Sequence, residues 1–162
     1  MSFAVTLIVR YLLVCLFFPF SALDKTINFK RAVGQAKEIA RSDALATGLI
    51  LVGLAVEILM PLAILTGIAD RLGAFILAGY CGVTALLWKR WWQPGDFWTA
   101  GDSKARTLFW DFLKNFALAG GFLLLAFGLR EGDYQAFLHH PFGSSHPYDA
   151  HAIAPHAPDP NS

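Results

Sequence analysis

Two charged side chains lie deep in long apolar stretches of this 162-residue chain and are the first candidates for chemistry. Arg10 is the only charge between Phe3 and Leu23, and Glu57 is the only charge between Ala44 and Ala69. A charge in an apolar environment is costly unless it is paired, and inside a membrane it often marks a functional site. Arg10 lies thirteen residues before Leu23, and Glu57 lies thirteen residues after Ala44. We expect Leu23 and Ala44 to lie at the same end of the molecule. We therefore predict an Arg10–Glu57 ion pair, which either serves function or only sets helix register.

A second polar group begins another apolar stretch. Lys114 and Asn115 are adjacent, and Asp111 precedes Lys114 by about one helical turn. Because Lys114 shares a helical stripe with Ala117 and Gly121, we predict that it faces the other helices, and that it pairs with Asp111 or extends toward the head groups. The amide of Asn115 adds donors and acceptors that an ion pair does not need, which favours a functional role for this group.

These side chains could hydrogen-bond a small polar head group such as that of a quinone. The stronger candidates are Arg10, Glu57, Lys114 and Asn115, and the weaker ones are Tyr11, Lys25, Tyr80 and Asp111. The set contains no pair of nucleophile and base, so catalysis by this chain alone is not expected.

The sequence predicts neither a haem nor a metal site. No histidine lies in an apolar stretch, so a haem within the bilayer would have no histidine ligands. The five histidines all lie in the last part of the chain with spacing that matches no compact metal site, at positions 139, 140, 146, 151 and 156. No intrinsic cofactor is therefore predicted, and quinone is the one ligand that we consider.

The composition indicates the elements that must position these residues. Hydrophobic residues make up 56% of the chain and charged residues 15%, against about 25% in soluble domains. Four apolar stretches are each close to or longer than the ~17 residues that cross a bilayer as a helix, namely 3–23, 44–69, 72–88 and 110–129. The prediction is an all-α protein: a four-helix transmembrane bundle over residues 1–130. A cleaved signal peptide is a weaker reading of the first stretch, because no Lys or Arg precedes Arg10.

The segments outside the four stretches have distinct predictions. Residues 24–43 repeat apolar positions at helical spacing, which is typical of an amphipathic helix in the head-group layer or of a short helix packed on the bundle end. All five tryptophans fall between residues 88 and 110, as in an interfacial aromatic belt. Residues 131–162, rich in Pro and His, predict a disordered tail.

The distribution of Lys and Arg predicts orientation. Residues 24–43 hold five basic residues and residues 89–109 hold four, whereas the opposite side has only Arg71 and Arg130. Because basic loops remain in the cytoplasm, both termini are predicted to be extracytoplasmic. The net charge of +1 offers no basic surplus for binding nucleic acid. The four apolar stretches make the lipid bilayer the predicted partner.

The order of these features resembles the DoxX family of small bacterial membrane proteins. Residues 20–29 are similar to that family's small-Leu-x-Lys-x-x-x-Phe junction, and residues 56–71 to its Glu-then-Gly-x-x-x-Arg pattern. Residues 112–121 resemble its Lys-Asn-x-Ala-x-x-Gly-Gly signature, and Arg10 matches an early Arg. The His-x-Phe-Trp motif that members often carry after the third span lacks its His here, so no role of that His can be transferred. The resemblance covers roughly residues 5 to 129.

The resemblance implies a four-helix inner-membrane protein, some of whose relatives act in quinone-linked sulfur oxidation or redox-defence complexes. The leading hypothesis is accordingly a small membrane subunit that supports redox enzyme subunits. Two alternatives stay open: a non-catalytic assembly or scaffold protein, and a small-solute permease. A homo-oligomer is compatible with each of them.

Overall fold

A computed structural model describes residues 3–128 and 132–148 of the chain. The described part contains seven helices and no strand: α1 (Phe3–Cys15), α2 (Phe18–Ile27), α3 (Phe29–Ala36), α4 (Asp43–Thr66), α5 (Asp70–Trp88), α6 (Lys104–Phe127) and α7 (Asp133–His139). Four segments of the described chain are long and apolar enough to cross a membrane, and they are Phe3–Ile27, Asp43–Thr66, Asp70–Trp88 and Lys104–Phe127. The predicted all-α architecture with four spans is confirmed.

The first span is interrupted near its middle. Helix α1 ends at Cys15 and α2 begins at Phe18, with Pro19 in its first turn. Proline has no backbone N–H, so it fits best in the first turn of a helix, where that N–H would have no partner within the helix, and Pro19 occupies this place in α2. After the interruption the span continues to Ile27, four residues beyond the predicted end, and therefore includes Lys25.

The predicted amphipathic helix is α3, and its apolar face packs against the beginning of α4. Ala32 and Ala36 of α3 form a buried cluster with Ala46 and Ile50 of α4. The sequence left open whether this helix lies in the head-group layer or packs on the end of the bundle. Its apolar face packs on the bundle. The first two turns of α4 therefore pack against α3.

The main core lies between α4, α5 and α6, with α1 and α2 packed against it. Its fully buried larger side chains come from every span and are Val14, Phe18, Ile64, Leu77, Cys81 and Phe122. Gly73 permits the close approach of α4 and α5, since a Cβ there would lie 3.2 Å from the carbonyl oxygen of Met60. Gly53, Glu57 and Pro61 are all buried, so this side of α4 faces the core.

The fourth span begins six residues before its predicted start at 110, because two side chains cap it. Ser103 accepts a hydrogen bond from the backbone N–H of Arg106 at 3.1 Å, and Asp96 accepts from Lys104 and Ala105 at 2.7 and 3.0 Å. The bond from Ala105 leads the effects that hold the pKa of Asp96 below its ordinary value. These contacts give residues 89–103 a defined conformation.

Part of the predicted disordered tail is ordered. Residues 133–139 form α7, whose buried Phe137 lies 5.5 Å from the rings of both Phe75 and Phe127. The chain then returns across the end of the bundle as far as Tyr148. Residues 149–162, with His151 and His156, lie outside the described residues.

Candidate functional site

The side chain of Glu57 is the centre of a polar cluster between three spans. Its Oε1 atom accepts hydrogen bonds from Lys25 Nζ at 2.6 Å, the Ser21 hydroxyl at 2.8 Å and the Tyr80 hydroxyl at 2.9 Å. Lys25 also donates to Ser21 Oγ at 2.7 Å. The Glu57 side chain is 1% exposed and that of Lys25 is 24% exposed. The cluster thus balances a buried carboxylate with one cation and two hydroxyl groups.

This cluster lines a cavity of about 1000 Å³. Cavities that hold small molecules are commonly about 300–1,000 Å³, so this one is large enough for a ring-sized ligand. The wall includes residues of α2, α3, α4, α5 and α6 together with both long connections at the α3 end of the bundle. Phe17 at the interruption of the first span and Leu49 of α4 also line it, and both keep more than 40% of their surface exposed. The cavity therefore joins a polar base to an apolar edge.

Two buried polar atoms on residues of this cavity lack a hydrogen-bond partner. They are Oε2 of Glu57 and Nε1 of Trp88. Buried polar atoms are almost always paired, so each exception calls for an explanation. A carboxylate oxygen can only accept and an indole N–H can only donate, so the wall offers one group of each kind.

Basic residues outnumber acidic ones around the same cavity. Its wall holds five cationic side chains: Lys25, Arg31, Lys89, Arg90 and Lys104. It holds three acidic ones: Asp24, Glu38 and Glu57. Half of these eight charges come from α3 and the two connections, and the wall as a whole has a positive excess.

A second buried ion pair lies at the opposite end of the bundle. Arg10 Nη2 contacts Asp70 Oδ2 at 2.7 Å, and the two side chains are 5% and 2% exposed. Arg10 also donates to the carbonyl of Ile64 at 2.6 Å. The pair connects the first span with the turn between α4 and α5, where Ala69 adopts a left-handed conformation with φ 51°.

Residues 144–148, here called the strap, cover this second pair. The Ser145 backbone N–H donates to Asp70 Oδ1 at 2.9 Å, and its hydroxyl contacts both Asp70 and Arg10. The Tyr148 hydroxyl donates to the carbonyl of Leu65, and its ring lies 5.9 Å from the Arg10 guanidinium. This ion pair is therefore covered by protein and enclosed by hydrogen bonds.

The predicted Arg10–Glu57 ion pair is wrong. Glu57 pairs with Lys25, and Arg10 pairs with Asp70. The prediction measured the depth of Glu57 from the start of α4, but the first turns of that helix lie beside α3. Arg10 therefore contacts α4 at Ile64, seven residues or about 10 Å beyond Glu57.

The predicted interior position of Lys114 is also wrong. Its side chain is 73% exposed and approaches Asp111 only at 3.6 Å. Ala119, Phe122 and Ala126 define the buried side of α6, and Lys114 lies on the other side. Asp111 instead makes a shorter contact, 3.0 Å, with Lys89.

Of the remaining candidates, three lie at the cavity and one does not. Asn115 lines the cavity, although its side-chain amide donates to the carbonyl of Asp111 on its own helix at 2.9 Å. Tyr80 and Lys25, which were weaker candidates, belong to the central cluster. Tyr11 is 54% exposed and lies away from the cavity wall.

Three residues of the two polar clusters were missed by sequence reasoning. Ser21 lies four residues before Lys25, which puts both on one helix face, and this spacing could have revealed it. Asp70 was overlooked because it sits in a short turn between two apolar stretches. Ser145 has no local signal, since its position depends on the path of the chain after α7.

No group of three or more His, Cys, Asp or Glu side chains that could hold a metal occurs among residues 3–128 and 132–148. His139, His140 and His146 are exposed at the strap end.

Comparison with known proteins identifies the family. The DoxX family model matches residues 5–90, which include Arg10, Lys25, Glu57 and Tyr80. No curated protein and no solved structure shows significant similarity to the chain. The match ends before residues 112–121, so the likeness of that segment to the family signature remains a prediction. With four apolar spans and a family match over more than half of its length, this multi-pass membrane protein belongs to the DoxX family.

Proposed function

We propose that the protein is a small inner-membrane subunit that binds a quinone head group in the Glu57 cavity and supports a redox complex. The observation that carries this proposal is the position of the Lys25–Glu57–Tyr80 cluster at the base of a cavity of about 1000 Å³. A quinone ring fits such a volume, and its oxygens need a few placed polar groups, of which Lys25 supplies one in this cavity.

The apolar edge of the cavity supports the same ligand class. Phe17 and Leu49 line the cavity, and both keep more than 40% of their surface exposed. A prenyl chain could leave the cavity along these residues while the ring stays at Lys25 and Tyr80. A strictly water-soluble ligand would have no use for this edge.

The basic residues around the cavity favour an orientation for the proposal. By the positive-inside rule, Arg31, Arg90 and Lys104 lie on the cytoplasmic side. The cavity then opens toward the cytoplasm, and the strap lies outside. A partner subunit that exchanges electrons with the bound quinone would dock at the cytoplasmic face.

Binding to the purified full-length protein tests the proposal. Oxidised short-chain ubiquinone should bind saturably to the protein in detergent micelles. Binding can be measured by the quenching of tryptophan fluorescence, since Trp88 lies in the cavity wall. Replacing Lys25 with Met should weaken binding about tenfold, because a charged donor is lost. Lys114→Ala is the matched control, since this lysine is exposed and lies off the cavity wall. Absence of saturable binding by the oxidised and the reduced ligand alike, or equal loss of binding in both variants, would contradict the proposal.

A scaffold role is the second candidate, and the Arg10–Asp70 pair favours it. This pair is enclosed by the strap and lines no part of the cavity, so it serves to hold α1 against α4 and α5. If the scaffold role is the whole function, cells should tolerate any cavity variant that leaves the bundle folded. Growth under oxidative stress of cells carrying Lys25→Met, beside a check of folded protein in membranes, separates the two candidates.

A further inference from the structure

The hydrogen-bonding capacity of the Glu57 cluster is only partly used, and the unused part has a definite chemistry. Oε1 of Glu57 receives three donors, whereas Oε2 is buried and receives none. A carboxylate oxygen has no hydrogen to donate, so Oε2 can bind only a donor. Ser21 cannot serve it, because the Ser21 hydroxyl hydrogen is directed at Oε1.

The other groups of the cluster offer mainly acceptors as well. The Tyr80 hydroxyl donates its hydrogen to Glu57, so its oxygen presents only lone pairs. Lys25 uses two of its three ammonium hydrogens on Glu57 and Ser21, which leaves one. A ligand ring oxygen at this place therefore meets two acceptors and one cationic donor.

A phenolic hydroxyl group matches this arrangement, and a quinone carbonyl does not. The hydroxyl can donate its hydrogen to Oε2 of Glu57 and accept the third hydrogen of Lys25. The carbonyl can only accept, so it would leave Oε2 of Glu57 unsatisfied and place two lone-pair-bearing oxygens together. A buried acceptor without a donor carries a penalty that the hydroxyl removes.

We propose that the cavity prefers the reduced hydroquinone over the oxidised quinone, with Glu57 Oε2 as the acceptor of the ring hydroxyl. This inference rests on the proposed function and adds the redox form to it. Because the hydroxyl hydrogen meets a charged acceptor, the expected preference is about 10-fold to 100-fold in affinity.

The test compares both redox forms of one ligand on the full-length protein. Short-chain ubiquinol and ubiquinone are titrated separately without oxygen, and their dissociation constants give a preference ratio. In Glu57→Gln, the amide oxygen remains at the three donors around Oε1, and the amide N–H₂ takes the place of Oε2. An acceptor thereby becomes a donor, so the preference should reverse toward the oxidised form.

Tyr80→Phe is the matched variant, because it removes a hydroxyl of the cluster but leaves Oε2 of Glu57 unchanged. The reduced form should remain the stronger ligand in this variant, because Oε2 of Glu57 can still accept from its hydroxyl group. If Glu57→Gln does not fold, the wild-type and Tyr80→Phe ratios still decide the question.

The outcomes separate the two proposals. Equal affinity for both forms in the wild type, or an unchanged ratio in Glu57→Gln, overturns the hydroquinone preference and leaves quinone binding intact. Failure of both forms to bind overturns the proposed function as well. A ratio that favours ubiquinol and reverses in Glu57→Gln supports both.

Discussion

The two ends of the bundle each bury one ion pair, but they treat it differently. At the strap end, Asp70 accepts from Arg10, from both the backbone N–H and the hydroxyl of Ser145, and from the backbone N–H of Arg71. At the α3 end, one oxygen of Glu57 accepts three bonds and the other none, beside a cavity. The contrast teaches that burial of a charge does not by itself indicate a site. A buried polar atom that lacks a hydrogen-bond partner and belongs to a residue of a cavity wall is the better indicator of a site.

The largest expected effect comes from breaking the enclosed pair. Arg10→Ala leaves Asp70 buried without its cation, which should lower the free energy of unfolding by about 3–5 kcal/mol. Denaturant unfolding of the purified protein in detergent measures this loss. The double variant Arg10→Leu/Asp70→Leu should recover much of it, because no buried charge remains. A single variant as stable as the wild type would show that the pair is not enclosed as described.

Breaking the other pair should cost less. Lys25 is partly exposed and Glu57 borders a cavity that water can enter, so Lys25→Met should lower the free energy of unfolding by only about 1–2 kcal/mol. The same unfolding assay, run beside Arg10→Ala, gives the comparison directly. If the two variants lose equal stability, the distinction between an enclosed and an open pair fails.

The strap accounts for part of the difference between the two ends. Ser145→Ala removes a hydroxyl that contacts both Arg10 and Asp70 and keeps the backbone bond to Asp70, so the expected loss is about 1 kcal/mol. Ser144→Ala is the matched control, since its hydroxyl accepts from His146 N–H in its own loop. Quinone affinity should stay unchanged in both variants, which lie far from the cavity wall.

The smallest effect concerns the cap of α6, which belongs to neither pair. The folded state holds the pKa of Asp96 below its ordinary value. The stabilisation that the charged cap gives to the fold is therefore complete above that ordinary value, near pH 4, and is lost as the pH falls through the lower pKa of the folded state. Asp96→Ala should therefore melt at a slightly lower temperature than the wild type at neutral pH. The difference should shrink as the pH falls below the ordinary value and through the lower pKa of the folded state. A difference that stays constant with pH would show that the carboxylate does not act as the cap.

Much of the fold could be predicted because its signals are local. The four spans follow from apolar length, and the extra helix from the spacing of Ala32 and Ala36. The predicted start of the fourth span differs because the cap at Ser103 acts over a few residues, and the interruption of the first span near Pro19 was not predicted. The tail was predicted as disordered because its composition is polar, but Phe137 packs against Phe75 and Phe127.

Some members of the candidate site could be predicted, but their pairing could not. Glu57 stood out as the lone charge of its span, and Tyr80 was among the candidates. Lys114 looked equally plausible, yet a rotation of α6 places it on the exposed side. Which side of a helix faces its neighbours depends on side chains of all the spans together, and Ala119, Phe122 and Ala126 provide the better contact.

The sequence by itself determined that this chain has four apolar helices and that a few charges must be sheltered among them, because apolar length and the cost of a buried charge are properties of each segment. The tertiary structure alone decided which charges meet. Packing of α3 on the first turns of α4 shifts Glu57 to the level of Lys25, and the return of the chain after α7 covers Arg10 and Asp70. An ion pair forms over about 3 Å, and such distances are set by how helices dock against each other.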